Sequence, residues 1–188
     1  MNIKEMMADL TGDQSEVESN LLNLWMKKIN LLISTFFGCG YISVIPGTIT
    51  SFVTTVFVYI AYEVLDCTSL KFSIIFFFLL FAYSFYAVKD SESEFKNKDP
   101  RQIVIDEVLG QTMPLILILY LNQNNQINLK IEIYYIVSFF LFRFFDIFKP
   151  FPVSYFDKNH KNYFGIIMDD IMAGFYTMIL IYIMSIIF

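Results

Sequence analysis

Apolar residues in this sequence are gathered into long runs that short polar segments separate. From residue 48 onward the runs cover 48–65, 70–88, 103–121, 129–148 and 165–188. Each run has about the 20 residues that an α-helix needs to cross the hydrocarbon core of a bilayer. The pattern predicts an all-α fold, a small polytopic helical membrane bundle of about five spans.

The chain before residue 48 has a different pattern. Residues 1–28 are polar, with charges scattered among single apolar residues, and predict a frayed or amphipathic N-terminal lead. The apolar run 29–37 is too short to cross a bilayer, and glycines and a proline follow it. We therefore expect a re-entrant or interfacial segment there. The chain is thus divided into a polar lead, 1–28, and a membrane-embedded domain, 29–188.

The composition agrees with a membrane environment. Of the 188 residues, 56% are hydrophobic and 16% are charged, whereas a typical soluble domain has about 25% charged residues. The mean hydropathy is +0.56. The net charge of −5 argues against a nucleic-acid-binding protein, which carries a basic surface. The only histidine is His160, which excludes phosphate chemistry that needs both a histidine nucleophile and a histidine acid.

The distribution of Lys and Arg predicts the orientation of the bundle. If residues 1–48 begin and end on the cytoplasmic side, all of the 13 cations except Lys71 and Lys130 fall on that side. Because cytoplasmic loops are enriched in Lys and Arg, the N-terminus is predicted to be cytoplasmic. The same orientation puts four polar groups at the cytoplasmic ends of the spans: Thr48, Asp106–Glu107, Arg143 with Asp146 and Lys149, and Asp169–Asp170.

The spacing of acids and glycines predicts that two helices bring carboxylates together. Asp106 and Gly110 are four residues apart, as are Asp170 and Gly174, so each pair shares one helix face. A glycine beside a carboxylate lets a neighbouring helix approach closely, and the carboxylates then converge. Oxygen ligands suit a hard cation such as Mg²⁺, which takes one or two protein carboxylates together with substrate phosphate and water.

Cations accompany these acids. Asp146 lies three residues after Arg143 and three before Lys149, so the three side chains project from one stripe of a helix. The two cations would neutralise the remaining charge of a bound phosphate. Structural roles stay open for part of the set: Arg143–Asp146 as an ion pair within the bundle, Glu107 reaching out to water, and Asp169, about 100° from Asp170 around the helix, as a cap or a solvated group.

Three segments resemble the phosphatidylglycerophosphatase A family. They are GCGYISVIPGTITS at 38–51, IVIDEVLG at 103–110 and FRFFDIFKPFPVSYFDKNHKNYFGIIMDDIMAG at 142–174. The resemblance runs from about residue 31 to the C-terminus. It implies a multi-pass, Mg²⁺-dependent lipid phosphatase of the bacterial inner membrane. Such an enzyme removes the terminal phosphate of phosphatidylglycerophosphate, so its partners are a phospholipid substrate and the membrane.

The residue pattern and the resemblance together give a predicted site. The predicted metal ligands are Asp106, Glu107, Asp169 and Asp170. The predicted catalytic residues are Asp106, Glu107, Asp146 and Asp170, with Asp146 orienting the cations or serving as the base. The predicted substrate-binding residues are Arg143 and Lys149 for the phosphate, with Thr48 and Gly47 facing the headgroup.

Two other functional classes stay open on the sequence alone. A small membrane transporter also places carboxylates in a membrane, although these usually lie near its middle rather than at one edge. A phosphatidyl-transferring enzyme also uses membrane carboxylates and Mg²⁺, but needs a longer multi-aspartate motif than this chain contains. Within the phosphatase, direct attack by water and an aspartyl-phosphate intermediate are both open, as are headgroup selectivity and oligomeric state.

Overall fold

The computed structural model describes residues 14–42, 45–66, 69–95, 100–155 and 162–188. These ranges contain helices and connecting turns and no strand. His160 and the rest of 156–161 lie outside the described residues. The α-helices are α1 Gln14–Ser34, α2 Pro46–Tyr59, α3 Leu70–Ser91, α4 Ile105–Gln123, α5 Ile131–Phe148 and α6 Tyr163–Ile187.

Three of the described helices are long and apolar enough to cross a membrane. They are α2 with its π-helical extension, Pro46–Val64, α3 with a final 3₁₀ turn, Leu70–Glu94, and α6, Tyr163–Ile187. This confirms the all-α membrane bundle. Helices α4 and α5, with 19 and 18 residues, are not among these three, so the count of five spans stays a prediction.

Local sequence signals explain where the helices begin and end. Pro46 occupies the first turn of α2, where its missing N–H costs nothing. The Ser69 hydroxyl caps α3 by accepting from the amide of Phe72, at 3.2 Å. The Asn162 side chain caps α6 in the same way, accepting from the amide of Gly165 at 3.2 Å. These caps satisfy amides that the first helical turn leaves without a partner.

Helix α4 lies at the centre of the bundle and contacts α2, α3, α5 and α6. Its most extensive contact is with α6, and the two backbones meet at glycines. A Cβ built on Gly174 would collide with the carbonyl oxygen of Gly110, and one built on Gly110 would lie 2.6 Å from the carbonyl oxygen of Asp170. The sequence spacing predicted this close approach, which only a residue without a side chain permits.

The N-terminal part of the chain is helical from Gln14. Helix α1 runs continuously to Ser34 and so includes residue 28, while the division into a lead, 1–28, and a membrane-embedded domain, 29–188, stays a prediction. The chain then reverses through Phe36, Phe37 and Gly38, all with positive φ (45°, 54° and 87°). The amide of Val104 donates to the carbonyl of Ser34 at 2.9 Å, which joins the end of α1 to the start of α4.

Candidate active site

Three carboxylates meet inside the bundle at the start of α4. Asp106, Glu107 and Asp170 each place one carboxylate oxygen within 4.8 Å of the others. Asp106 and Asp170 are buried, at 8% and 3% exposure, and Glu107 is half-buried. We call these three residues the acidic cluster. It brings together acids from distant parts of the chain, as the sequence predicted.

Three helices build the acidic cluster. Asp106 and Glu107 lie in the first turn of α4, and Asp170 lies two turns into α6. The Gly110–Gly174 crossing lies one turn further along both helices, so it fixes the distance between Asp106 and Asp170. A third helix reaches Glu107, because the first turn of α2 places Gly47 directly against its Oε1 atom.

The acidic cluster fits a divalent cation. Two of its atoms, Asp106 Oδ1 and Glu107 Oε2, are buried and accept no hydrogen bond from any described residue. Buried carboxylates that face one another without such partners repel and are poorly solvated. A hard cation would satisfy those oxygens, since Mg²⁺ and Ca²⁺ prefer oxygen ligands of this type. The acidic cluster can therefore hold a metal ion.

Asp169 points to a different partner from Asp170. Its Oδ2 accepts from the Lys149 ammonium at 2.7 Å, and its Oδ1 accepts from the Asp170 amide at 3.0 Å. The predicted metal ligands thus divide into the acidic cluster and an adjacent Lys149–Asp169 ion pair. The separation follows from helix geometry, because consecutive residues project about 100° apart.

A second ion pair, Arg143–Asp146, flanks the acidic cluster. Arg143 Nη1 lies 2.8 Å from Asp146 Oδ2, and both side chains are largely buried. The same Nη1 donates weakly to the Ser51 hydroxyl at 3.4 Å, while the buried Nε has no hydrogen-bond partner among the described residues. Asp146 also lies within electrostatic range of Glu107 and Asp170. Arg143 therefore keeps a donor available beside the acids.

The start of α2 forms one wall of the site. Thr48 is half-buried and lies next to Gly47. Ser51, which the predicted site omitted, donates to the Gly47 carbonyl at 2.9 Å and accepts from Arg143. Its position four residues after Gly47 puts the two on one helix face, and that spacing is the signal that could have identified it.

The fold and the site together define a helical membrane protein with a buried acidic centre flanked by two Lys/Arg–Asp pairs. A model of the phosphatidylglycerophosphatase A family matches residues 32–185. The chain belongs to this family and is a phosphatase. Membership favours the phosphatase over the transporter and the phosphatidyl-transferring enzyme.

Named relatives cover most of the chain. It is 34% identical over 162 residues to phosphatidylglycerophosphatase A of Haemophilus influenzae, covering 84% of this chain and 92% of the relative. It is 28% identical over 145 residues to phosphatidylglycerophosphatase A of Escherichia coli, covering 76% of each. A Bacteroides thetaiotaomicron protein, provisionally named phosphatidylinositol-3-phosphatase, is 34% identical over 152 residues, covering 80% of this chain and 90% of the relative. No solved structure matches the chain.

Proposed function

We propose that this protein hydrolyses the terminal phosphomonoester of phosphatidylglycerophosphate, giving phosphatidylglycerol and phosphate. The reaction would depend on Mg²⁺ and serve phospholipid biosynthesis at the cytoplasmic face of the bacterial inner membrane. The family and two of the named relatives support the substrate. The observation that carries the proposal is the acidic cluster, two of whose buried oxygens accept from none of the described residues, beside two cationic side chains.

The acidic cluster supplies the metal site in this proposal. Asp106, Glu107 and Asp170 would hold Mg²⁺ through carboxylate oxygens. The bound ion would polarise the phosphoryl group and lower the pKa of a bound water. Gly47 leaves room for the Glu107 carboxylate, so it has a steric role in the same site. Metal ligation by Asp169 stays a prediction, since its nearest cation in the structure is Lys149.

The cations supply the phosphate site. Arg143 and Lys149 would bind phosphate oxygens, and each is already oriented by an aspartate, Asp146 or Asp169. A guanidinium held in this way can donate to an incoming phosphate without first losing side-chain entropy. Asp146 would either orient Arg143 or accept a proton as the base. Thr48 would face the headgroup.

The distribution of cations supports the proposed location. In the topology predicted from the sequence, all of the 13 Lys and Arg residues except Lys71 and Lys130 fall on the side to which Asp106, Glu107 and Asp170 are assigned. The positive-inside tendency makes that side cytoplasmic. A phosphatase acting there would meet lipid phosphates of the cytoplasmic leaflet.

The direct test measures phosphate release by the purified full-length protein from phosphatidylglycerophosphate in detergent micelles. Chelation should abolish release and added Mg²⁺ should restore it. Asp106→Asn and Asp170→Asn should each lower turnover by orders of magnitude, because each removes a charged ligand from the acidic cluster. Glu132→Gln is the matched control, since Glu132 is an exposed acid in the first turn of α5, at the opposite end of the bundle.

The melting temperature of these variants distinguishes an acidic cluster that binds metal from one that only stabilises the fold. Three facing carboxylates repel when no metal is bound, so the two Asp→Asn variants should melt no lower than the parent in the presence of chelator. A structural network would lose stability instead, because removing one member leaves the others unpaired. Near-normal turnover in both variants would remove the metal assignment.

The name of the Bacteroides relative motivates a second substrate for the same site. A panel of phosphatidylglycerophosphate, phosphatidylinositol 3-phosphate, phosphatidic acid and lysophosphatidic acid compares headgroups at equal surface concentration. The proposal expects the highest kcat/KM for phosphatidylglycerophosphate. A preference for the inositol lipid would keep the phosphatase and reassign its substrate.

A further inference from the structure

Helix α1 turns its polar face inward. Asn30 is buried and donates to Asp90 at 2.8 Å, and it accepts from the Tyr83 hydroxyl at 2.6 Å. Ser34, also buried, accepts from the Ser91 hydroxyl at 3.1 Å. These contacts join α1 to the last turns of α3. A polar contact between two helices is the reverse of the apolar contact by which a helix usually docks in a water-soluble protein.

The opposite face of α1 is apolar and exposed. Successive spacings of four, four and three residues place its members on one side of the helix. Their exposures range from 46% to 62%. We call this set the outer stripe: Leu21, Trp25, Ile29 and Leu32.

An outer stripe of this kind requires an apolar covering. Each large apolar side chain left in water lacks the stabilisation of about 1.5–3 kcal/mol that burial would give. Water-soluble monomers rarely expose contiguous apolar surface on this scale. The bilayer is the covering that the structure favours. The outer stripe belongs to a helix docked on α3, one of the candidate spans, which exposes its own apolar residues such as Phe78 and Leu79.

The sequence of α1 indicates that it lies along the membrane rather than across it. It is not among the described helices apolar enough to cross, and it carries Glu18, Lys27 and Lys28. Lys28 Nζ lies 5.6 Å from the centre of the Trp25 ring. Tryptophan and lysine are the residues that anchor interfacial helices at the level of the lipid headgroups.

The position of α1 fixes which end of the bundle it borders. The carbonyl of Ser34 accepts from the amide of Val104, which immediately precedes α4 and therefore Asp106 and Glu107. We propose that α1 is an interfacial helix whose outer stripe is embedded in the acyl chains of the leaflet that faces the acidic cluster. The proposal does not depend on the substrate of the enzyme. It also assigns a role to residues 14–31, which precede the family match.

The chain contains a built-in probe for this proposal, because Trp25 is its only tryptophan. The full-length protein is reconstituted in vesicles of phosphatidylethanolamine and phosphatidylglycerol, with bromine on the acyl chains either near the headgroup or near the terminal methyl. We expect the emission of Trp25 to be blue-shifted and little quenched by aqueous iodide. Bromine near the headgroup should quench most of this emission, and bromine near the terminal methyl should quench less of it.

Two relocated tryptophans calibrate the measurement. Trp25→Phe with Phe78→Trp places the probe on α3 at a residue 62% exposed on a candidate span, where deep bromine should quench most strongly. Trp25→Phe with Asn124→Trp places it at the exposed end of α4, where iodide should quench and bromine should not. Phosphatase activity confirms that each variant is folded.

Two results would overturn the proposal. Iodide quenching of Trp25 equal to that of the Asn124→Trp control would show that the outer stripe faces water. Emission shielded from iodide and insensitive to bromine at both depths would show that protein covers it, as in a contact with a second copy of this chain.

Discussion

Gly174→Ala tests whether the α4–α6 crossing sets the geometry of the acidic cluster. The added methyl group would collide with the Gly110 carbonyl oxygen and would lie 3.0 Å and 3.1 Å from the carbonyl carbon and Cα of Gly110. All three are backbone atoms, so no rotamer change relieves the collision. The two helices must separate, and Asp106 and Asp170 lie one turn from the contact.

The size of the effect follows from the overlap. Restoring an ordinary carbon–oxygen contact requires the helices to separate by about 1 Å. Overpacking of this kind typically costs about 1–3 kcal/mol of stability. Catalysis should be more sensitive, because a misplacement of about 1 Å in a catalytic constellation can cost roughly 100-fold in rate. We therefore expect Gly174→Ala to lose most of its turnover while it remains folded.

The assay compares kcat, the Mg²⁺ concentration for half-maximal activity, and the melting temperature of parent and variant in the same detergent. A wider acidic cluster should need more Mg²⁺, so part of the lost activity should return at high Mg²⁺. Phe175→Ala is the control, since it changes the adjacent side chain, which is 47% exposed. The reasoning would be refuted by a folded Gly174→Ala protein with the turnover and Mg²⁺ dependence of the parent.

Two further substitutions probe the wall formed by α2. Gly47→Ala brings a methyl group into collision with Glu107 Oε1. Because a carboxylate can rotate away, we expect weaker Mg²⁺ activation with little change in melting temperature, and unchanged activation would contradict the contact. Ser51→Ala removes the hydroxyl that accepts from Arg143, a loss of about 0.5–1.5 kcal/mol, or roughly a twofold to tenfold rise in KM at similar kcat. Thr55→Ala, which removes a hydroxyl bonded to the Ser51 carbonyl one turn further on, should leave KM unchanged, and an equal rise in both variants would assign the effect to α2 as a whole.

The helices from residue 46 onward could be predicted because each apolar run ends at residues that also end a helix. The apolar run 70–88 became Leu70–Ser91 and the run 129–148 became Ile131–Phe148. Charge, proline and capping residues end these runs, and a bilayer leaves the backbone little alternative to a helix. The run lengths could not show that α4 is the central helix, since burial by protein and burial by lipid select similar residues.

The three members of the acidic cluster were all among the residues named from the sequence, but the helix spacing accounts for only two of them. The spacing of Asp106 to Gly110 and of Asp170 to Gly174 indicated which faces meet. It did not indicate that Glu107, next in sequence to Asp106, would join them. Its longer side chain does so because α2 brings the backbone of Gly47 to its carboxylate, and contacts between distant segments leave no periodicity in the sequence.

Helix α1 was predicted only as a frayed or amphipathic lead followed by a short apolar run, and its inverted pattern was not recognised. The polar residues within that run, such as Asn30 and Ser34, are buried against α3. Prediction from the hydropathy pattern assumes that polar positions face water. In a membrane protein that assumption fails wherever two helices meet through hydrogen bonds and present apolar residues to lipid.

The three glycines of the site share one physical role. Gly110 and Gly174 let α4 and α6 meet backbone to backbone, and Gly47 lets α2 meet the carboxylate of Glu107. Carboxylates at this spacing repel unless a cation lies between them. The close approach of the helices therefore favours binding of a metal ion. A side chain at any of the three positions would displace a carboxylate of the acidic cluster without contacting the substrate phosphate. The steric freedom at these glycines should therefore govern metal affinity, whereas Arg143 and Lys149 should govern affinity for substrate phosphate.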